Sequence, residues 1–199
     1  MLSEQALDKY SKKHLAIINS AIHEFDKNGY ENTSLEDITS KLGLTDKSIY
    51  YYFDSKEDLF VAAVHQVQEQ LCLLIQKTQS LKTSGLAKVR YLSISVVNIV
   101  GMALLADLPQ QILKNKKFKD QNKQLLKHHD IWVNFFREGQ KDGSIIDGDP
   151  INQWSFITGS LHYLHKWYRL QGGDPYYHLN SMLEDMIDRM YSTSYKKIK

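Results

Sequence analysis

Proline occurs at three positions in this chain, Pro109, Pro150 and Pro175, and glycine at ten. Proline removes a helix hydrogen bond and clashes with the preceding turn, so long runs without it are free to stay helical. Such scarcity predicts long helices rather than a strand-and-turn architecture. Each proline also falls at a boundary. Pro109 closes a strongly apolar run. Asp149-Pro150 and Asp174-Pro175 each put a capping side chain before a proline at the first helical position. Ser144-Ile145-Ile146 is the one β-like fragment, and it is too short to build a sheet.

Apolar residues recurring three and four apart predict about nine helices. The first runs from about Asp8 to Asn28, with Leu15, Ile18, Ile22 and Phe25 on one stripe, Ile17 and Ala21 beside it, and Gly29 as its stop. A capping box of Ser34 and Asp37 opens the second, Leu35 to Leu42, which Gly43 ends. Thr45 caps the third, Asp46 to about Phe53. The fourth begins after Ser55 and reaches about Gln79, with Phe60, Ala63, Val67, Leu71 and Ile75 inward. Leu86 to Leu108 is apolar on nearly every face and predicts one central helix. Short Gln110–Lys114, amphipathic Phe118–Lys141, and two helices ending near Leu170 and Tyr191 complete the set.

With 42% hydrophobic and 24% charged residues over 199 positions, the chain reads as globular. Its single cysteine, Cys72, excludes an intrachain disulfide and fits a reducing, cytoplasmic setting. Met1 to Glu4 offers neither a basic nor an apolar leader pattern. The most apolar stretch, Val96 to Ala106, is too short to span a bilayer, so no membrane partner is expected. Net charge is +2, and residues 1–56 hold seven Lys, no Arg and nine Asp or Glu, a balance of −2. Nucleic-acid binding there would rely on a few placed cations rather than a basic field.

Two short helices joined by Gly43-Leu44-Thr45 form a helix-turn-helix pattern, in which the second helix enters the major groove. Ile49 and Phe53 share one face of that second helix and, with Leu42 and Leu44, should pin it to the core. At about 100° per residue, Lys47 and Tyr51 point away from that face, flanked by Ser48 and Tyr50. An ammonium, a hydroxyl and two phenols suit phosphate oxygens and base edges. Thr33, Ser34 and Lys56 lie at the starts of the second and fourth helices, where backbone N–H groups attract phosphate.

The segment from Phe25 through Gly29-Tyr30 and Thr33-Ser34 to Ile38 resembles the opening of the TetR (tetracycline repressor) family. The segment Leu42-Gly43-Leu44-Thr45 through Ile49-Tyr50-Tyr51-Tyr52-Phe53 to Ser55-Lys56-Glu57-Asp58-Leu59 resembles its recognition-helix motif. Thr45 stands where Ser is frequent in that family, and Tyr52 where His or Tyr is usual. The resemblance implies an all-α protein with a DNA-binding domain at 1–55 and a ligand-binding, dimerising bundle at 56–199. It implies DNA contacts from Thr33, Thr45, Lys47, Ser48, Tyr50, Tyr51 and Lys56, and effector binding that respaces two recognition helices and releases a palindromic operator. It implies no cofactor and no enzymatic activity. The family dimerises through its last two helices, so Trp154, Ile157, Leu161, Leu164 and Tyr168 on one, with Leu179, Leu183, Met186 and Met190 on the other, are candidate interface residues. Gly159 and Ser160 would permit close approach. Leu92, Val96, Met102, Trp132, Phe135, His162 and His165 are candidates for the effector pocket. Lys166-Trp167-Tyr168-Arg169 followed by Gly172-Gly173-Asp174-Pro175 is similar to a stretch in members that sense acyl-CoA thioesters, with Leu170 in place of a proline. That similarity implies acyl-CoA or another lipid-like effector.

Other readings stay open from the residues alone. Tyr50, Tyr51 and Tyr52 suit an ordinary bundle, and the stripes on the last two helices suit burial in their own subunit. His162 and His165, His128-His129 and Cys72 contain metal-ligand types, but no metal is expected, since no Glu-x-x-His pair accompanies them. A helical carrier or enzyme without DNA binding is the rival function, although no nucleophile elbow, Walker loop or dinucleotide fingerprint occurs.

Overall fold

The computed structural model describes residues 4–106, 108–170 and 176–195, without the side chains of 4–7, 46, 106, 117, 120–128, 165–170 and 176–179. Ten helices lie among the described residues: α1 (Glu4–Asn28), α2 (Leu35–Ser40), α3 (Asp46–Ile49), α4 (Lys56–Gln79), α5 (Gly85–Val97), α6 (Met102–Ala106), α7 (Gln110–Lys114), α8 (Lys116–Lys141), α9 (Pro150–Leu170) and α10 (Tyr176–Tyr191). The chain is all-α, and a lone bridge between Ile145 and Ser192 is its only β pairing among the described residues.

Local chemistry explains most boundaries. Ser34 and Asp37 make the reciprocal capping box, with Asp37 N–H donating to Ser34 Oγ (3.1 Å) and Ser34 N–H donating to Asp37 Oδ2 (2.7 Å). Asp58 N–H donates to Ser55 Oγ (3.1 Å) at the start of α4. Gly29 and Gly43 adopt left-handed φ of 79° and 62°, which lets the chain turn sharply after α1 and after α2.

Two elements differ from expectation. The apolar run Leu86–Leu108 is not one helix. It breaks into α5 and α6 at Gly101, whose φ is +90°. A side chain there would sit 2.6 Å from Ile22 and 2.8 Å from Val67, so the break lets the backbone press against α1 and α4. The third helix is also shorter than expected, because Tyr52 N–H bonds back only three residues to Ile49 O (2.8 Å), tightening the final turn. On α1, Leu15 is exposed, and Ile17, Ile18, Ala21, Ile22 and Phe25 form the buried stripe.

One apolar core runs from Ile17 to Tyr191, with α4 packing on α1, α5, α6 and α8. Phe25, Phe60, Phe135 and Phe136 are sealed within it, and each such side chain contributes about 1.5–3 kcal/mol. The α5–α8 contact is tight, with the Gly85 backbone directly against Gly139. Buried Lys88 reaches Glu138 (2.8 Å) across it and lies 5.5 Å from the Phe135 ring. Desolvation raises the Asp142 carboxyl, yet hydrogen bonds from Ser144 and Gly85 and the Lys88 charge outweigh it and hold it below the usual carboxylate range. At the same end of the bundle, Tyr191 donates to Gln153 O (3.1 Å), and its ring meets Phe136 edge-on at 5.4 Å. Burial pushes its phenol up to about 12. The folded state therefore favours the neutral phenol. Its stabilising contribution is complete below the unfolded phenol range near pH 10 and is lost as pH rises toward 12. Thermal melts from pH 9 to 12 should fall more steeply for the native chain than for Tyr191→Phe; parallel curves would contradict this.

The candidate interface residues on α9 and α10 mostly face inward. Ile157, Leu161 and Leu183 are 4%, 1% and 4% exposed within a single chain, and Trp154, Leu164 and Met190 pack partly buried against the same core. The expected stripe is thus the intrachain core face. Met186 alone of the described candidates is exposed. The outward apolar face is a different one: Phe156 (60% exposed) and Tyr163 (67%) on α9, either side of Gly159, with Met182 and Met186 on α10. The side chains of His165, Tyr168 and Leu179 lie outside the described residues, as do, in the acyl-CoA-like stretch, the side chains of 166–170 and the whole of 171–175.

Candidate nucleic-acid interface

The second and third helices are joined by a turn that the backbone holds itself. Thr39 O accepts from both Leu42 N–H and Leu44 N–H (3.0 Å each), and Thr39 Oγ1 donates to Leu35 O (3.1 Å). Ile38, Ile49 and Phe53 anchor the unit in the core at 0%, 0% and 3% exposure. Opposite that anchor, Lys47 is exposed, Tyr50 is 58% exposed and Tyr51 68% exposed. Thr45 Oγ1 and Ser48 Oγ share a hydrogen bond (2.9 Å) at the start of α3. The exposed side of α3 therefore carries one ammonium, two phenols and a hydroxyl pair.

Supports missed in the sequence come from α1. The Tyr10 ring lies 4.9 Å from Tyr52 and 5.7 Å from Tyr51, and His14 stacks on Phe53 at 4.7 Å. Their four-residue spacing was the available signal, but nothing local tied it to α3. Glu36, Thr39 and Ser40 were not singled out, and Leu44 was read only as a core anchor. With Thr45 and Lys47 they line an open groove of about 490 Å³ between α2 and α3.

Thr33 corrects one expectation. It is 2% exposed, and its hydroxyl donates to Gly29 O (2.7 Å) and contacts Glu24 O (3.2 Å), so it braces the end of α1 and does not face outward. Ser34 is exposed, but its hydroxyl is engaged with Asp37 Oδ2 (2.6 Å). Lys56 Nζ sits 4.4 Å over the Tyr30 ring, near Glu31 O. The starts of α2 and α4 carry Glu36 and Asp37, and Glu57 and Asp58, so the carboxylates there oppose phosphate binding. Hydrogen bonds from Ser34 hold the Asp37 carboxyl below its usual range, keeping it charged. Buried Glu24 is paired with Lys41 and exposed Asp8 with Lys12, which leaves the balance of residues 1–56 at −2.

Within the bundle, Leu92, Val96, Met102, Trp132 and Phe135 are all buried, at 0%, 2%, 2%, 6% and 0% exposure, in one core. His162 is half-buried on α9, and burial pushes its imidazole down, toward the neutral form. Among the described residues no group of His, Cys, Asp or Glu is placed to hold a metal ion, and no helix is long and apolar enough to cross a membrane.

The described residues thus form a helix-turn-helix at the head of an all-helical bundle. Residues 17–63 match the family model described as "Bacterial regulatory proteins, tetR family". The chain is 34% identical over 64 residues to IcaR of Staphylococcus aureus, the negative transcriptional regulator of the biofilm operon icaADBC, a match covering 32% of this chain and 34% of IcaR. The curated relatives it matches are therefore spanned over only about a third of their length. KstR2 of Mycobacterium tuberculosis, a ketosteroid transcriptional regulator, superposes with a TM-score of 0.75 at 17% identity, over 90% of this chain and 95% of that one. FadR of Bacillus subtilis in complex with stearoyl-CoA superposes with a TM-score of 0.61 at 20% identity, over 87% and 96%. Over residues 17–63 the sequence is thus similar to the tetR family of bacterial regulatory proteins, and the fold of the chain is similar to those of these solved transcriptional regulators.

Proposed function

We propose that this chain is a cytoplasmic, ligand-responsive repressor. Residues 1–55 would bind a palindromic operator, with the chain acting as a homodimer, and residues 56–199 would dimerise and sense a small apolar or acyl-type effector such as an acyl-CoA. The observation that carries the reading is the two-sided segment of α3 and the turn after it: Ile49 and Phe53 fixed in the core, with Lys47, Tyr50 and Tyr51 presented to solvent. Thr45 and Ser48 stand beside them as hydroxyl donors, and Ser34 and Lys56 at the rim become contacts once their present partners are exchanged for phosphate. IcaR, matched in this segment, supports repression, and stearoyl-CoA in the FadR complex supports an acyl-type effector.

Two recognition helices in a two-fold dimer would enter successive major grooves, about 34–36 Å apart. Lys47→Ala is expected to weaken operator binding about tenfold and to lower the salt slope by about one per subunit, since a phosphate or guanine contact is lost from each half-site. Tyr50→Phe, which removes only a hydroxyl, should cost less. Anisotropy titrations at several salt concentrations read both; full affinity in both variants would refute the placement.

A further inference from the structure

Buried indole and hydroxyl donors ordinarily find acceptors. Three here do not. The indole nitrogens of Trp132 and Trp154 and the hydroxyl of Ser93 are sealed from solvent and have no hydrogen-bond partner. Trp132 is 6% exposed and Ser93 0%. Ser93 is unusual within this fold. Helical Thr78, Thr158 and Ser160 all donate back to the carbonyl four residues earlier, at 2.8, 2.8 and 2.9 Å, as such hydroxyls commonly do.

The three lie on α5, α8 and α9, which pack on one another pairwise. The register between α5 and α8 is antiparallel, set by Gly85 against Gly139 and by Lys88 on Glu138. Followed along both helices, that register brings Ser93 level with Trp132. On the other side, the His129 ring meets Trp154 edge-on at 4.1 Å, and His129 precedes Trp132 by one turn of α8. The seam thus gathers donors that lack acceptors. The charges on α5 are paired, Lys88 with Glu138 and Arg90 through its terminal nitrogen with Asp188, while Arg90 Nε is one further buried donor without a partner.

We propose that this seam binds an uncharged hydrogen-bond acceptor on an apolar body: a ketone, ester or thioester carbonyl, rather than a free carboxylate. The oxygen accepts from Trp132 Nε1–H, with Ser93 and Trp154 as the neighbouring donors. An indole N–H can only donate, so the seam selects for an acceptor. The inference rests on the reading that the bundle senses an effector, and it specifies that effector's polar group.

The test uses the full chain with 2-decanone and decanoate as paired probes. Binding is followed by tryptophan fluorescence and by the ¹⁵N-labelled indole resonances. We expect 2-decanone to bind, to shift the Trp132 indole N–H downfield, and to bind about tenfold or more tighter than decanoate. Trp132→Phe keeps the apolar bulk and should weaken 2-decanone about tenfold, with a smaller loss for Ser93→Ala. Equal binding of decanoate, no binding of 2-decanone, or an unmoved indole resonance in the native chain would overturn the proposal. If Trp132→Phe does not fold, the indole shift and Ser93→Ala decide. Operator affinity of the ligand-free protein, measured alongside, separates the two failures. Retained DNA binding with no ketone preference sinks only the acceptor site. Absent DNA binding sinks the regulator reading.

Discussion

Gly85→Ala should lower stability by about 3 kcal/mol, the upper part of the range for overpacking a tight contact. A methyl group there would lie 2.1 Å from Gly139 N, 2.4 Å from Gly139 Cα and 2.5 Å from Phe135 O. All three are backbone atoms, which cannot rotate away. Nor can α5 simply back off. Asp142 accepts from Gly85 N–H (2.8 Å), Ser144 Oγ accepts from Leu86 N–H (3.2 Å), and Lys88 holds Glu138. Separation would strain all of these and open the Phe135 core. For a chain of this size the midpoint should fall by about 6–12 °C. Gly139→Ala makes the comparison: its methyl group would meet side-chain atoms of buried Ile145 at 2.5 Å and no backbone, so it should cost less than Gly85→Ala. Equal melting of Gly85→Ala and the native protein would show that α5 and α8 do not approach this closely.

The second large effect concerns assembly. Phe156 and Tyr163 lie on the outward face of α9, with Gly159 between them and Met182 and Met186 on neighbouring α10. A two-fold dimer through this face would place each residue twice near the axis. Phe156→Glu would then remove two aromatic anchors and bury two carboxylates facing each other. We expect the dimer to weaken about a thousandfold or more, about 4 kcal/mol. At 60% exposure in one chain, Phe156 contributes little to the subunit's own stability, so the variant should stay folded. On the proposed palindromic operator, affinity should fall with it, since two half-sites would no longer be gripped by one linked particle. Sedimentation at micromolar concentration reads the outcome. A dimer unchanged by Phe156→Glu would place the interface elsewhere.

What was legible in the sequence was what is decided locally. Caps at Ser34 and Ser55 and stops at Gly29 and Gly43 depend on a few adjacent residues, and they sit where the pattern puts them. The anchored face of α3 followed from the spacing of Ile49 and Phe53. The break at Gly101 was not legible, because it depends on Ile22 and Val67, far away in the chain. Thr33 reads as a polar group beside a turn, and only the fold reveals Gly29 O waiting for its hydroxyl. The outward face of α9 was hidden for another reason. The helix is apolar on two sides, and the aliphatic stripe of Ile157 and Leu161 masks the aromatic one. Spacing identifies a stripe but cannot say which of two enters the subunit's own core.

The first turn of α4 also touches the opposite part of the molecule. Lys56 rests on Tyr30, and Glu57 accepts from Asn115 Nδ2 (2.6 Å) at the junction of α7 and α8. With 24 residues, α4 is a rod about 36 Å long, so a tilt of about 5° moves one tip by about 3 Å. In a symmetric pair both rods swing together, doubling the change in span. In the proposed dimer a small rotation in the bundle would thereby be geared up to a mismatch of two base-pair rises against a ruler with a helical repeat of about 34 Å.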